Sequence, residues 1–131
     1  MPRPPAFANV ASLLLKGETP DVGGEARVAK DALLCAYCRA LVTSRAAALE
    51  MSGSHAHTFV NPHGIQFRIG CFADAPGCGV RGAESSYWTW FPGFTWRISV
   101  CRHCGEHLGW LFRSPDARFY GLILDRLTAG D

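Results

Sequence analysis

Tyr87-Trp-Thr-Trp-Phe-Pro-Gly-Phe-Thr-Trp-Arg-Ile-Ser-Val-Cys-Arg-His-Cys-Gly-Glu-His-Leu-Gly-Trp110 holds all four tryptophans of this 131-residue chain. It also holds a Cys-x-x-Cys pair, Cys101 and Cys104, between the third tryptophan and the fourth. A tryptophan carries a large apolar surface and one N–H that wants an acceptor, so four in so short a span call for a common explanation. The explanation adopted is a metal knuckle that pins two aromatic strands together, with the rings walling a small binding pocket. A plain aromatic core built on Trp90, Trp96 and Trp110 is the competing account.

Working outward, Tyr87 to Phe91 reads as extended, and Pro92-Gly93 as the two central residues of a turn. Phe94 to Val100 alternates as a strand, with Trp96, Ile98 and Val100 on one face and Thr95, Arg97 and Ser99 on the other. The knuckle Cys101 to Gly105 reverses the chain, and Leu108, Trp110 and Phe112 share a face of the next strand. Ser114-Pro115-Asp116 is a turn, Arg118 to Leu124 the last strand, and Asp125 to Leu127 a closing turn. Upstream, Ile65 to Phe72 is a strand with Ile65, Phe67, Ile69 and Cys71 on one face, preceded by the turn signature Asn61-Pro62-His63-Gly64. His57 to Val60 alternates weakly, and Ala73 to Ser86, with Pro76 and three glycines, reads as a loop. Arg39 to Met51 carries no strand signal, with a brief helix expected over Ala46 to Met51. Residues 1–31 read as a flexible tail, which leaves a domain over 32–131. The expected class is all-β, with short strands and little helix.

Composition narrows the chemistry. Hydrophobic residues make up 48% of the chain, with fourteen glycines and eight prolines, which fits a small globular domain rich in turns. No apolar run reaches the roughly 20 residues of a membrane-spanning helix, and Ala11 to Leu15 is too short and interrupted for a secretory signal. A cytoplasmic monomer with no membrane or nucleic-acid partner is therefore expected. Four of the six cysteines fall in two Cys-x-x-Cys pairs, Cys35/Cys38 and Cys101/Cys104. Without a secretory signal that pattern favours one structural zinc ion over disulfides. A redox dithiol, or two unrelated thiol pairs, are the alternatives. The 62 residues between Cys38 and Cys101 exceed the spacing of a compact zinc ribbon, so the ion would clip distant parts of the chain together. The formal charge of +2 falls to zero once four thiolates and one Zn2+ are counted, and the basic residues are scattered. Cys71 and Cys78 lack the pattern and are left out of the metal site, as are His103 and His107 beside the knuckle.

The order Cys-x-x-Cys, Asn-Pro-His-Gly, Trp-Phe-Pro-Gly-Phe-Thr-Trp, Cys-x-x-Cys and Gly-Trp-x-Phe, followed by Phe119-Tyr-Gly-Leu122, resembles the thalidomide-binding domain of cereblon, the CULT domain. The resemblance runs from about Leu33 to Leu127. It implies a β-tent of two antiparallel sheets packed at a steep angle and joined by the zinc site. It also implies a cyclic-imide pocket walled by Trp90, Trp96 and Trp110, with Phe112 extending the wall, Asn61 and Pro62 on the rim, and Phe67 contributing. By the same resemblance the Trp88 carbonyl and the Trp90 backbone N–H would bond the imide, and the Trp90 indole N–H an imide carbonyl. The implied ligands are glutarimide, succinimide and thalidomide-type rings, uracil-like rings, and protein C-termini carrying cyclised Gln or Asn.

Trp88 departs from the animal proteins, which carry a histidine there, so the mouth is expected to be more apolar. The chain also has no room for the large amino-terminal domain of animal cereblon, and a stand-alone, bacterial-type binding protein rather than a ubiquitin-ligase component is the expectation. Two other readings compete. One is an aromatic cage for methylated ammonium groups, for which Glu84 and Glu106 are the only carboxylates close in sequence. The other is a type B methionine sulfoxide reductase, whose chemistry needs a thiol in the last strand. Gly121 stands about where that thiol is wanted, so a binding module rather than an enzyme is expected.

Overall fold

The computed structural model describes residues 31–130. The expected tail lies outside the described residues apart from Asp31. Nine strands follow in order: β1 (Ala32–Cys35), β2 (Leu41–Ser44), β3 (Ala56–Val60), β4 (Gln66–Phe72), β5 (Cys78–Ser85), β6 (Thr95–Cys101), β7 (His107–Arg113), β8 (Arg118–Ile123) and β9 (Leu127–Ala129). Two 3-10 turns, Arg45–Ala47 and Leu124–Arg126, interrupt the strands. The strands form a three-stranded sheet, β2-β1-β9, and a six-stranded sheet, β3-β4-β8-β7-β6-β5, antiparallel throughout. The fold is all-β with two antiparallel sheets, as the sequence pattern implies.

Period-two alternation in the larger sheet gives it two apolar faces. Phe72, Leu111, Tyr120 and Leu122 form one cluster with Leu33, Cys35 and Val42 of the smaller sheet. Ile69, Cys71, Phe112, Phe119 and Ile123 form a second, against which Trp90, Trp96 and Trp110 pack. The first cluster holds the sheets together, and the second is the bed on which the aromatic cage sits. Gly121 of β8 lies tight against the second cluster. A Cβ there would meet the Phe112 ring at 2.8 Å and Ile69 Cδ1 at 2.9 Å, so the strand has room only for a bare backbone.

Several expectations fail, each for a local reason. The segment Ala73 to Ser86 is a loop only at its start, because β5 pairs with β6 from Cys78 opposite Cys101 to Ser85 opposite Trp96. As an edge strand it buries little, and its register shifts between Arg81 and Ser85 around Gly82 at φ 79°, so neither alternation nor apolarity marks it. Arg39 to Met51 contains β2, whose signal is confined to the buried Val42 and Thr43. The expected helix over Ala46 to Met51 is a single 3-10 turn, after which Leu49 N–H donates to the Cys71 carbonyl. β8 ends at Ile123 and the expected closing turn is the 3-10 turn Leu124–Arg126, but a further strand not expected from the sequence, β9, follows it and pairs with β1.

The face shared by Leu108, Trp110 and Phe112 also breaks. The β6–β7 register shifts between Ser99 and Val100, leaving Leu108 as an extra residue. Leu108 therefore joins Leu111 in the first cluster, and His107 turns to the side of Trp110. Finally, Tyr87 to Phe91 is a turn rather than an extended segment, with Trp88 at φ 57°. No helix among the described residues is long and apolar enough to cross a membrane.

Candidate ligand cage and metal centre

The cysteine cluster comes from two near-identical turns. Cys35 ends β1 and Cys101 ends β6, and in each knuckle the fifth residue returns its N–H to the first cysteine's carbonyl at 2.8 Å. That residue is left-handed in both, Arg39 at φ 66° and Gly105 at φ 83°. The turns bring Cys35 Sγ to 3.7 Å from Cys104 Sγ and Cys38 Sγ to 3.6 Å from Cys101 Sγ. All four sulfurs lie within 4.8 Å of one another. Such separations are too long for disulfides, and all four thiols are free. A tetrahedral ion with bonds of about 2.3 Å to sulfur places its ligands about 3.8 Å apart, which these spacings match. The His103 amide donates to Cys101 Sγ at 3.4 Å, as an amide does beside a thiolate. The set can hold one metal ion, and it ties the small sheet to the large one.

Cys71 and Cys78 stand apart. Burial pushes each thiol up to about 11, so neither offers a thiolate near neutral pH. Cys78 is in a strand rather than the expected loop, paired with Cys101 across the ladder.

The aromatic cage is assembled from three directions. β6 and β7 present Trp96 and Trp110, with Phe112 opposite Trp96 across the ladder. The turn after β3 supplies Asn61 and Pro62. Its geometry comes from the Asn61 side chain, whose Oδ1 accepts from the His63 and Ile65 amides at 2.9 Å each, and from Gly64 at φ 83°. The turn 87–94 supplies Trp88 and Trp90. Gly93 at φ 90° and the Phe94 N–H to Phe91 carbonyl bond of 2.9 Å close its Pro-Gly corner.

Ring packing fixes the walls. Trp90 stacks on Phe59 with centroids 4.9 Å apart and meets Trp110 edge-on at 4.8 Å. Phe67 meets Trp110 edge-on at 5.3 Å. Phe112, fully buried and stacked on Phe119, is floor rather than wall. The cavity so enclosed is about 460 Å³ and is bounded by all eight residues expected of a ligand site: Asn61, Pro62, Phe67, Trp88, Trp90, Trp96, Trp110 and Phe112.

Four further residues line it: His63, Tyr87, Ile98 and His107. Ile98 was legible, since it shares a face with Trp96. His107 was not, because in an unbroken strand it would point away from Trp110. Its Nε2 lies 2.9 Å from the Gly109 carbonyl, and burial lowers its pKa, so the ring is neutral at pH 7. Among the described residues, no Asp, Glu, Lys or Arg lines the cavity. Glu84 is engaged elsewhere, held below its usual range by the Thr95 hydroxyl and by Arg113, whose Nε is 3.5 Å away.

The indole N–H groups are committed within the protein. Trp88 Nε1 and Trp90 Nε1 both donate to the Val60 carbonyl, at 2.8 and 3.1 Å, and Trp96 Nε1 donates to the Tyr87 carbonyl at 2.8 Å. The Trp90 indole, expected to bond an imide carbonyl, donates here to the Val60 carbonyl, with which an imide carbonyl would compete. Among the described residues, no backbone group bonds the Trp88 carbonyl or the Trp90 amide. Trp88 sits in the left-handed region, which costs a bulky side chain about 1–2 kcal/mol. Its bond to Val60 helps to hold it there.

No protein-family profile matches the chain. Individual proteins do. It is 39% identical to protein cereblon of Xenopus tropicalis over 75 residues, which is 53% of this chain and 17% of that protein. Protein cereblon of Gallus gallus is 37% identical over 75 residues, with the same coverage. Protein cereblon of Drosophila erecta is 31% identical over 108 residues, 73% of this chain and 18% of that protein. The chain spans less than a fifth of the length of these curated relatives.

Proposed function

Taking as premise that this chain carries a cereblon-like domain, we propose that it binds cyclic imides in the cage walled by Trp90, Trp96 and Trp110. The imide would be a free glutarimide or succinimide, a thalidomide-type or uracil-like ring, or the cyclised Gln or Asn at a protein C-terminus. Such a ring is flat and apolar on its methylene side and carries one N–H between two carbonyls. The observation that carries the reading is the three-tryptophan cavity, whose described lining residues include no Asp, Glu, Lys or Arg, and in which Trp88 and Trp90 leave a backbone carbonyl and a backbone amide without backbone partners among the described residues. The N–H would go to the Trp88 carbonyl, and the Trp90 amide would meet a ring carbonyl. Removing such groups from water is favourable only when they are paired, so the edge discriminates rings by their donor pattern.

The ion in the four-cysteine cluster is Zn2+ on this reading. Four thiolates close its coordination, so it acts as scaffold and holds β6, and with it Trp96, in register. The function is binding rather than catalysis, without a nucleic-acid or membrane partner. The side-chain-free slot at Gly121 and the high pKa of Cys71, its partner across the β4–β8 ladder, both speak against a sulfoxide-reducing thiol at that position.

A cage for a methylated ammonium is the second reading. It gains from the ring faces but finds no lining carboxylate among the described residues to offset the cation's lost hydration. Titrating tryptophan fluorescence with glutarimide and with trimethyllysine separates the two. Saturable quenching by the imide alone is expected. A response to the cation alone would replace the imide reading with the cation one.

A further inference from the structure

We propose that Cys78 is the redox partner of Cys101: a peroxide converts the pair to a Cys78–Cys101 disulfide, which takes one ligand out of the four-cysteine cluster and is undone by a thiol reductant. The proposal goes beyond ligand binding and rests on the cluster holding an ion.

Three observations lead there. The first is register. Cys78 and Cys101 stand opposite each other on β5 and β6. The Arg102 amide donates to the Gly77 carbonyl at 2.9 Å, so the hydrogen-bonded positions are Gly77 and Arg102, one step along the ladder. Cys78 and Cys101 are therefore a non-hydrogen-bonded pair, a type whose Cα atoms lie about 4.5 Å apart with the side chains close. The Cys78 carbonyl, turned outward at such a position, accepts from Arg102 Nε at 2.9 Å. A disulfide spans Cα separations of about 4.4–6.8 Å, so the pair can close with little backbone movement. The second observation is the surroundings of Cys78. Its thiol is buried in the same apolar cluster as Cys35 and Cys101, yet stands outside the four-sulfur set. The Ser99 hydroxyl, fully buried and otherwise unpartnered, lies beside it and favours its thiolate against the larger effect of burial. The third is access. Cys101 and Cys104 line a groove open to solvent between Arg81, Arg102 and His103, wide enough for a molecule as small as a peroxide.

The chemistry runs in two steps. Peroxide transfers one oxygen to the Cys101 thiolate, giving a sulfenic acid and hydroxide. The Cys78 sulfur then bonds to the Cys101 sulfur, and the sulfenic oxygen leaves as water with the Cys78 proton. The two sulfurs lose two electrons in all, and the peroxide gains them. Cys38, with its sulfur 3.6 Å from that of Cys101, and Cys104 are the competing partners. Both are themselves members of the cluster, whereas Cys78 is a free thiol already aligned by the ladder. Capture by Cys78 stops the oxidation at a reversible stage, before the sulfinic acid that a thiol reductant does not restore.

The test treats the zinc-loaded full chain with hydrogen peroxide, follows zinc release with a chromogenic chelator, and maps disulfides by tandem mass spectrometry of tryptic peptides. Cleavage after Arg102 separates Cys101 from Cys104, so the two are read independently. The main disulfide is expected to join Cys78 to Cys101, with zinc released in step and taken up again after reduction. Cys78→Ala should load with zinc like the parent, but the zinc it regains after oxidation and reduction should fall at least about threefold, as Cys101 passes to the sulfinic acid. A main disulfide within the cluster, such as Cys101–Cys104 or Cys38–Cys101, would overturn the proposal. So would recovery in Cys78→Ala equal to the parent's. Should Cys78→Ala fail to fold, the disulfide map of the parent decides by itself. A parent chain that takes up no zinc would remove the metal reading and this proposal with it, leaving the imide reading untouched.

Discussion

Cys104→Ser is expected to abolish the cooperative thermal unfolding transition of this domain, or to lower its midpoint by tens of degrees. Cys104 is exposed, so the substitution removes no core contact, and any large loss must come through the metal cluster. Structural zinc in thiolate sites contributes about 10–16 kcal/mol of apparent binding free energy. A domain of this size has about 5–15 kcal/mol of stability altogether. The cluster closes the chain between Cys38 and Cys101 and joins β1 of the small sheet to β6 of the large one, so nothing local replaces it. Elemental analysis of the parent protein should give one zinc per chain, and chelation should reproduce the variant's melting curve. An unchanged curve for Cys104→Ser would refute a structural ion.

Trp96→Ala is expected to weaken glutarimide binding by at least about 30-fold, in keeping with loss of an aromatic anchor at a binding hot spot. Trp96 is only partly buried, and its Nε1 bond to the Tyr87 carbonyl ties β6 to the turn that carries Trp88 and Trp90. Its removal takes away a wall and loosens the turn, while both apolar clusters and the four cysteines remain. A folded, metal-loaded variant with parental affinity would mean that the ring does not lie against Trp96. Trp96→Phe should fall between the two, since it keeps a ring face but loses the bond to Tyr87.

The two knuckles and the aromatic walls were legible because their signals are local. Cys-x-x-Cys places two sulfurs on one turn whatever the fold, and alternation along β6 puts Trp96 and Ile98 on a common face. Three features were not legible, and each depends on contacts distant in sequence. β5 is a strand because β6 lies beside it, and its own residues, at an exposed edge, carry little apolar pattern. The extra residue at Leu108 moves His107 into the cavity and Leu108 into the core, and the one local sign of a bulge in β7 is Gly109 beside it. Trp88 adopts a left-handed conformation for which its residue type is a poor signal, since it is held by the Val60 carbonyl of a strand 28 residues away. The same carbonyl takes up the Trp90 indole that the resemblance assigned to the ligand. The lines of the cage were therefore readable, and its hydrogen-bond economy was not.

The central claim is that the cage recognises the imide edge and not merely a flat apolar ring. Comparing the dissociation constants of glutarimide and N-methylglutarimide for the parent protein tests it most directly. Methylation leaves the ring faces and both carbonyls in place but removes the one N–H that would pair with the Trp88 carbonyl, and a buried acceptor left unpaired costs about 1–3 kcal/mol. The account predicts at least about tenfold weaker binding of the methylated ring. Equal affinity for the two rings would contradict it.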